Sequence, residues 1–186
     1  MENQDEIIYI KRILEGETNL FSYFLERYSR SIHSLITRII PSKEDAEELT
    51  QDTFLKAFRK LDTFKGDCSF STWLFRIGYN TAVSATRKRK VMVPAFDESL
   101  LEGIPDELVD AAFEDDEDEI RLQRLEVAIT RLTVEEKMLI AFYYTDNKPV
   151  AEIADLMELT IDNVKVRLYR VRKKLYVLMT DKLIDN

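Results

Sequence analysis

The chain has few of the residue types that build disulfide or metal-supported scaffolds. Its 186 residues include one cysteine, Cys68, and one histidine, His33. An intramolecular disulfide is therefore impossible, and a zinc site built on several cysteines is excluded. The lack of structural disulfides fits a reducing cytosol, so we expect a cytoplasmic protein. Since His33 has no cysteine or carboxylate cluster around it in the sequence, we expect no metal site and no catalytic role for it.

Glycine, proline and long apolar runs are also scarce. The chain has four glycines and four prolines, and few of its apolar residues alternate with polar ones, so the composition favours helices over strands. No run of about 18 apolar residues exists, so we expect no membrane insertion. The N-terminus lacks a basic start followed by an apolar core, so we expect no secretory signal. A hydrophobic content of 45% is enough to bury a core.

Basic residues are missing from one stretch, Val91 to Glu119, which holds twelve carboxylates and no lysine or arginine. The flanking residues 1–90 and 120–186 each carry a charge balance of +2. The net charge of −8 therefore hides two mildly basic halves joined by an anionic segment. Nucleic acid binding is not excluded by the overall acidity, because phosphate binding depends on where the cations are gathered.

The predicted fold is all-α, with two small helical domains joined by an acidic linker. We place the domains at 1–92 and 120–186 and the acidic linker at 93–119. Helical apolar spacing predicts four helices in each domain. Capping signals, such as Ser42 and the capping box of Thr133 with Glu136, mark where helices start. The acidic linker shows little helical period, but it contains scattered leucine, isoleucine and phenylalanine residues. These predict that parts of it dock on this chain or on a partner.

The second domain contains a helix-turn-helix pattern from Val150 to Leu178. Its second helix has one apolar stripe, formed by Val164, Leu168, Val171, Leu175 and Leu178. The opposite surface is basic, and residues near the start of such a helix meet base edges in the major groove. We therefore expect Asn163, Lys165 and Arg167 at bases or nearby phosphates, and Arg170, Arg172, Lys173 and Lys174 mainly at phosphates. Glu158 occupies a turn position where many such motifs have glycine. A solvated face on an ordinary helical hairpin is the alternative interpretation.

The first domain has an aromatic loop, Asp62 to Trp73, followed by a helix with Arg76, Asn80 and Arg87 along one side. Aromatic rings beside a cationic face suit single-stranded nucleic acid, because bases stack on the rings while the cations hold phosphates. Polar loop groups could also read an unpaired base in a pocket. The alternative is that Phe64, Phe70 and Trp73 belong to the core, which we expect of Trp73.

Two segments, taken together, resemble a known family. The segment DAEELTQDTFLKAFRKLDTFKGDCSFSTWLFRIGYNTAVSATRKRK, residues 45–90, resembles the second conserved region of bacterial RNA polymerase sigma factors of the sigma-70 family. The segment LTVEEKMLIAFYYTDNKPVAEIADLMELTIDNVKVRLYRVRKKL, residues 132–175, resembles their fourth region. With no further domains, the chain resembles the two-domain extracytoplasmic-function (ECF) group.

The resemblance implies a role for each of three residue sets. The first set would bind core RNA polymerase: Glu48, Leu49, Gln51, Asp52 and Phe54. The second would bind the −10 element and capture an unpaired base: Phe64, Lys65, Asp67, Cys68, Ser69, Phe70, Arg76, Ile77, Asn80, Arg87, Lys88, Arg89 and Lys90. The third would read the −35 element as duplex: Asn163, Lys165, Val166, Arg167, Arg170, Arg172, Lys173 and Lys174. In the turn and early recognition helix, only Val164, Lys165 and Arg167 are identical to the family's usual pattern.

The implied function is promoter-specific initiation by a protein that is not an enzyme. The partners would be core RNA polymerase, promoter DNA and an anti-sigma factor, with no cofactor and no small-molecule substrate. The family's connector threads towards the polymerase active-site cleft and RNA exit path. We therefore hypothesise that the acidic run Glu114–Glu119 aids polymerase binding and is displaced by growing RNA. A solvated spacer is the alternative.

Two other function classes explain less of the sequence. A conventional transcription regulator, with a helical sensor domain, would explain residues 120–186 but not the aromatic loop. A metal-dependent nuclease would explain only the carboxylates, because the chain offers no plausible base or phosphate loop. Transcription with sigma-free core polymerase, duplex binding without polymerase, and DNA cleavage distinguish the three.

Overall fold

The computed structural model describes residues 2–88, 96–114 and 119–180. Across these ranges the backbone forms α-helices, short 3₁₀ turns and one π turn, with no strand, so the all-α prediction is confirmed. The helices are α1 Glu2–Leu14, α2 Ser22–Thr37, α3 Lys43–Arg59, α4 Phe70–Lys88, α5 Asp106–Glu114, α6 Glu119–Thr130, α7 Val134–Ile140, α8 Val150–Met157 and α9 Ile161–Thr180.

Two compact units divide the chain. One comprises Met1–Val91 and Ala151–Thr160, and the other comprises Met92–Val150 and Ile161–Asn186. Helix α8 thus belongs to the first unit, whereas the acidic linker belongs to the second. The predicted boundaries at 92 and 120 follow the sequence and stay a prediction.

In the first unit, α2, α3 and α4 pack on one another. Phe24 and Ile32 of α2, Ala57 of α3, and Phe70 and Leu74 of α4 are fully buried. Helix α3 begins after Ser42, whose hydroxyl accepts a hydrogen bond from the Asp45 amide at 3.2 Å, as the capping signal predicted. This cap sets where α3 begins.

A polar cluster anchors α1 to α2. Glu6 is almost fully buried, accepts a hydrogen bond from the Tyr28 hydroxyl and pairs with Arg27 at 3.4 Å. Burial, together with the hydrogen bond to Glu6, raises the pKa of Tyr28 to about 12. The rings of Tyr9 and Tyr23 stack beside it with centroids 4.5 Å apart. A buried carboxylate is stable here because the Tyr28 hydroxyl donates to it and the Arg27 guanidinium pairs with it.

In the second unit, α9 packs against α6 and α7. Its predicted apolar stripe is buried at Val164, Leu168, Val171, Leu175 and Leu178, so that prediction is confirmed. The predicted capping box at the start of α7 is present as well. The Thr133 hydroxyl accepts from the Glu136 amide at 3.2 Å, and the Glu136 carboxylate accepts from the Thr133 amide at 2.7 Å.

The acidic linker has more regular structure than its sequence indicated. It forms a 3₁₀ turn, Glu98–Leu101, and the helix α5, and both pack on α9. Val109 of α5 is 4% exposed. The expectation of little helical structure was therefore wrong for this part. Part of the acidic linker does dock on this chain, where Val109 is buried, whereas Leu100 and Leu108 remain exposed. Most of the acidic run Glu114–Glu119 lies outside the described residues.

Candidate nucleic-acid and polymerase interfaces

The aromatic loop of the first unit encloses a small cleft. The chain leaves the 3₁₀ turn Leu61–Thr63 and turns at Gly66, whose φ of +80° favours glycine. The cleft has a volume of about 270 Å³. It is lined by Thr63, Phe64, Lys65, Gly66, Asp67, Cys68, Trp73, Arg76 and Asp155. Five predicted −10 residues, Phe64, Lys65, Asp67, Cys68 and Arg76, are thus brought together.

The loop aromatics divide into core and surface. Phe70 is fully buried, with its ring centroid 4.2 Å from that of Phe24, and Trp73 is buried as well. Phe64 is half-buried, and its ring lies 5.5 Å from Trp73 and 5.7 Å from Phe70. Phe64 therefore lines the cleft with its ring, whereas Phe70 lies in the core and packs against Phe64.

Ser69 has a local structural role. Its hydroxyl accepts from the Thr72 amide at 3.1 Å and lies 2.8 Å from the hydroxyls of Ser71 and Thr72. This arrangement satisfies one backbone donor, the Thr72 amide, in the first turn of α4. Ser69 therefore helps to set where α4 begins, and with it the direction of Arg76.

Cys68 is held as a thiol. Burial raises its pKa, the charges of Asp155 and Asp67 add to the increase, and the charge of Arg76 opposes it. A thiolate is the nucleophilic form, so Cys68 lacks the lowered pKa of a reactive cysteine. The side chain is suited to contact within the cleft and not to covalent chemistry.

The side of α4 beyond the cleft carries the remaining −10 candidates. Ile77 and Asn80 are half-buried, and Arg87 and Lys88 are exposed. The Asn80 amide donates to the Glu158 carboxylate at 2.9 Å, a contact that the sequence did not predict. Glu158 has a φ of +56°, so the turn after α8 does use the left-handed conformation that glycine adopts without strain. Arg89 and Lys90 lie outside the described residues.

The candidate polymerase surface lies on α3. Glu48 and Gln51 are exposed, Leu49 and Asp52 are half-buried, and Phe54 is buried at 4% exposure. Sequence reasoning missed Leu55 and Phe58, which are 52% and 39% exposed on the same helix. Large apolar side chains exposed in this way mark candidate contact surfaces. Thr50, Thr53 and Ala57 recur at helical spacing and mark the buried face of α3. Leu55 and Phe58 lie outside that face, and this spacing could have predicted their exposure.

The first half of α9 displays four of the predicted −35 residues, all exposed: Asn163, Lys165, Val166 and Arg167. Buried Val164 and Leu168 fix the helix beneath them. Since α8 ends at Met157 and α9 begins at Ile161, the predicted turn residues 158–160 separate two helices. The display of these side chains suits contact with base edges and phosphates.

The second half of α9 is engaged by the acidic linker. Arg170 pairs with Glu98 at 2.9 Å, Arg172 with Asp110 at 2.7 Å and Lys173 with Asp106 at 3.2 Å. The Tyr169 hydroxyl also donates to Asp106 at 2.8 Å. This bond, with Lys173, lowers the pKa of Asp106, while Tyr169 and Asp106 raise the pKa of Lys173.

Lys174 differs from its basic neighbours. It is 8% exposed, and its Nζ lies 3.0 and 2.9 Å from the two carboxylate oxygens of Glu136. Nζ also lies 5.0 Å from the centroid of the Phe96 ring. The ammonium thus points into the unit, where it supports the capping box of α7. The sequence predicted Lys174 to be a surface cation that contacts phosphate, whereas its side chain is buried.

The part of the chain that the structure describes lacks two kinds of feature. No group of three or more histidine, cysteine, aspartate or glutamate residues in those ranges is arranged to hold a metal ion. None of the helices found there has the length and apolar character that crossing a lipid bilayer requires.

Two family models match the chain. The one described as Sigma-70 region 2 matches residues 24–91, and the one described as Sigma-70, region 4 matches residues 122–175. These matches contain the aromatic loop and α9, respectively.

Relatives resemble the chain over nearly its whole length. The ECF RNA polymerase sigma-E factor of Escherichia coli K12 is 29% identical over 178 residues, covering 92% of this chain and 93% of that protein. The protein of the same name from Haemophilus influenzae is 28% identical over 174 residues, covering 88% and 89%.

Solved structures share the fold. CnrH, in complex with the cytosolic domain of CnrY, has a TM-score of 0.59 at 22% identity, covering 92% of this chain and 94% of that one. The sigma factor RpoE of Bartonella quintana, in complex with the anti-sigma factor NepR, has a TM-score of 0.55 at 22% identity, covering 87% and 98%. The chain belongs to the sigma-70 family of bacterial RNA polymerase sigma factors, in its extracytoplasmic-function (ECF) group.

Proposed function

We propose that this sigma factor binds core RNA polymerase and directs promoter-specific initiation by reading two DNA elements in different states. The first half of α9 reads the −35 element as duplex, and the cleft beside α4 captures an unpaired −10 base. No covalent chemistry is asked of the chain. Strand opening draws on binding energy that favours the unpaired base.

The observation that carries this proposal is the convergence of Phe64, Lys65, Cys68 and Arg76 on one cleft. An unpaired base needs a ring to stack on, polar groups to read its edge and a cation near its phosphate. The cleft supplies all three within one loop and one helix turn. A solvated helical surface with no ligand would not require a ring, polar groups and a cation to meet in one cleft.

The proposal that α9 reads duplex DNA is supported by the way this helix is packed. Exposed Asn163, Lys165 and Arg167 lie on a helix whose opposite stripe is buried in the second unit. Asparagine and arginine offer bidentate hydrogen bonds to base edges, and lysine holds phosphate. Lys174 is left out of this surface because its ammonium is buried against Glu136.

Polymerase binding is assigned to the exposed face of α3. Glu48, Leu49, Gln51 and Asp52 follow the family's docking motif, and exposed Leu55 and Phe58 extend the surface with apolar area. Charged and apolar side chains together suit a specific protein interface. Phe54 supports this face from beneath because it is buried.

Reconstituted transcription tests the proposal. The purified chain is added to sigma-free core polymerase with genomic DNA from the source organism, and RNA 5′ ends are sequenced. We expect start sites that share one −10 and one −35 element. Duplex binding without initiation would favour a conventional regulator, and DNA cleavage would favour a nuclease.

Variants then separate capture of the −10 base from polymerase binding. Phe64→Ala and Arg76→Ala should reduce open-complex formation without reducing core affinity. Arg30→Ala, an exposed arginine on α2, is the matched control and should behave as wild type. Loss of core affinity in Arg76→Ala, or equal activity in all variants, would contradict the assignment of the cleft.

An anti-sigma factor is the second proposed partner. CnrH and the Bartonella RpoE were both solved in complexes, and the RpoE partner is an anti-sigma factor. The surfaces that such a partner would cover are α3 and α9, since masking either would stop initiation. A protein that co-purifies with the chain should inhibit the reconstituted reaction when added back. Unchanged transcription would exclude it as an anti-sigma factor.

The acidic run Glu114–Glu119 retains the role that the family's connector implies. We propose that its carboxylates enter a cationic RNA path in polymerase and are displaced by growing RNA. Changing the run to glutamine and asparagine should alter core affinity or abortive transcript levels. If both are unchanged, the run acts as a spacer.

A further inference from the structure

The carboxylates of the acidic linker meet the cations of α9 one by one. Glu98 comes from the 3₁₀ turn, and Asp106 and Asp110 come from successive turns of α5. They pair with Arg170, Lys173 and Arg172, respectively, as described above. Each carboxylate therefore faces a different cation, as the phosphates along a DNA backbone would.

Apolar contacts hold these carboxylates in register. Val109, between Asp106 and Asp110, is buried, so α5 is anchored to the unit by its apolar side. The Arg172 guanidinium carbon lies 5.5 Å from the centroid of the Phe113 ring, which adds a cation–π contact. Exposed ion pairs are individually weak, but a helix anchored at several points holds them together.

We propose that the acidic linker occupies the phosphate-binding half of α9 in the free protein, so that the linker and duplex DNA compete for the same cations. This inference rests on the proposed contact of α9 with duplex DNA. The competition covers Arg170, Arg172 and Lys173, whereas Arg167, which is proposed to meet base edges, forms no ion pair with the acidic linker among the residues described. It therefore weakens binding to DNA of any sequence, because phosphate contacts carry no base information.

The charges and the pKa values of the contact agree with this interpretation. Tyr169 and then Lys173, both on α9, lower the pKa of Asp106, so α9 favours the charged carboxylate; the pKa of Lys173 is raised first by Tyr169 and then by Asp106. A duplex must replace these interactions before it gains its own. The free energy of the contact between linker and α9 is thus subtracted from the free energy of DNA binding.

The test compares two full-length variants that each remove three negative charges. The first, Glu98→Gln/Asp106→Asn/Asp110→Asn, neutralises the carboxylates that face α9. The matched control, Glu107→Gln/Glu119→Gln/Glu126→Gln, neutralises exposed carboxylates of the same unit that form no ion pair with α9 among the residues described. Since both variants change the net charge equally, any difference in their DNA affinities results from where the neutralised carboxylates lie. Circular dichroism checks that both retain wild-type helicity.

The measurement is fluorescence anisotropy with a short mixed-sequence DNA duplex, at low and at high salt. Three exposed pairs predict that the first variant binds about tenfold more tightly than wild type at low salt. The control should gain only the smaller long-range effect of charge. The advantage of the first variant should shrink as salt is raised, because exposed pairs are screened.

Hydrogen exchange gives a readout that needs no variant. Adding saturating duplex to the wild-type protein should protect α9 and accelerate amide exchange in α5, because the displaced helix loses its contacts. Protection of α9 with unchanged exchange in α5 would overturn the competition.

The outcomes separate this inference from the proposed function. Equal affinities of the two triple variants would overturn the competition while leaving duplex reading intact. Failure of all three proteins to bind duplex under any salt condition would overturn duplex reading by α9, and the competition with it.

Discussion

The ion pair between Lys174 and Glu136 makes a sharp prediction for Lys174→Met. Methionine keeps most of the aliphatic volume but removes the ammonium, so the Glu136 carboxylate loses two contacts of 3.0 and 2.9 Å. Glu136 keeps its hydrogen bond from the Thr133 amide at 2.7 Å. The change therefore tests a charge pair and leaves packing and the helix cap in place.

The magnitude follows from how buried the pair is. Breaking a fully buried pair costs about 3–5 kcal/mol, and exposed pairs contribute about 0–1 kcal/mol. The Lys174 side chain is 10% exposed and that of Glu136 is 24% exposed, so the pair lies between these limits. We expect a loss of about 2 kcal/mol in the free energy of unfolding of the second unit, a decrease of about 8–16 °C in Tm.

Lys165→Met is the matched control, because Lys165 is exposed on the same helix and is proposed to hold DNA. It should leave urea unfolding unchanged, lower duplex affinity and reduce the salt dependence of binding by about one phosphate contact. Lys174→Met should show the opposite pattern, and Lys174→Met/Glu136→Gln should recover part of the lost stability. If Lys174→Met instead unfolds like wild type and loses one phosphate contact, the reasoning is refuted.

Three further predictions concern the first unit. Glu158→Gly should be about 1 kcal/mol more stable in urea than Glu158→Ala, because both lose the hydrogen bond from Asn80 and only glycine relieves the φ of +56°. Alkylation of Cys68 should reach its half-maximal rate at a higher pH in the native protein than in urea, because its pKa is raised; equal profiles would contradict burial of the thiol. Tyr28→Phe should destabilise the fold by about 1–2 kcal/mol, because buried Glu6 loses a donor, and wild-type Tyr28 should ionise near pH 12 in an ultraviolet titration.

Local signals made much of the fold predictable. Ser42 and Thr133 are capping residues whose hydrogen bonds involve neighbours three residues away, so the short pattern contains the whole interaction. The buried stripe of α9 follows directly from helical spacing. Burial of Phe70 and Lys174 was also readable in principle. Phe70 lies three residues before buried Trp73, and Lys174 lies three after Val171 and four before Leu178, which puts each on a buried face.

Long-range pairing was not predictable from the sequence. Asp110 and Arg172 are 62 residues apart, and Asn80 and Glu158 are 78 apart. A charge pattern shows that carboxylates and cations are present, but many pairings satisfy it equally. The same holds for α5, whose nine residues are too short to be a stable helix alone. Its helix depends on packing against α9, which no local window of sequence contains.

The basic face of α9 therefore contains three kinds of cation that composition cannot distinguish. Lys165 and Arg167 are displayed, Arg170 and Arg172 are held by the acidic linker, and Lys174 is buried. A cation that is already paired with a carboxylate contributes to DNA binding only the difference in free energy between its phosphate contact and its existing ion pair. The number of basic residues on a recognition helix thus overstates its attraction for DNA, and the linker carboxylates determine by how much. If α9 binds duplex DNA as proposed, the anionic segment is part of what sets its DNA affinity in this chain.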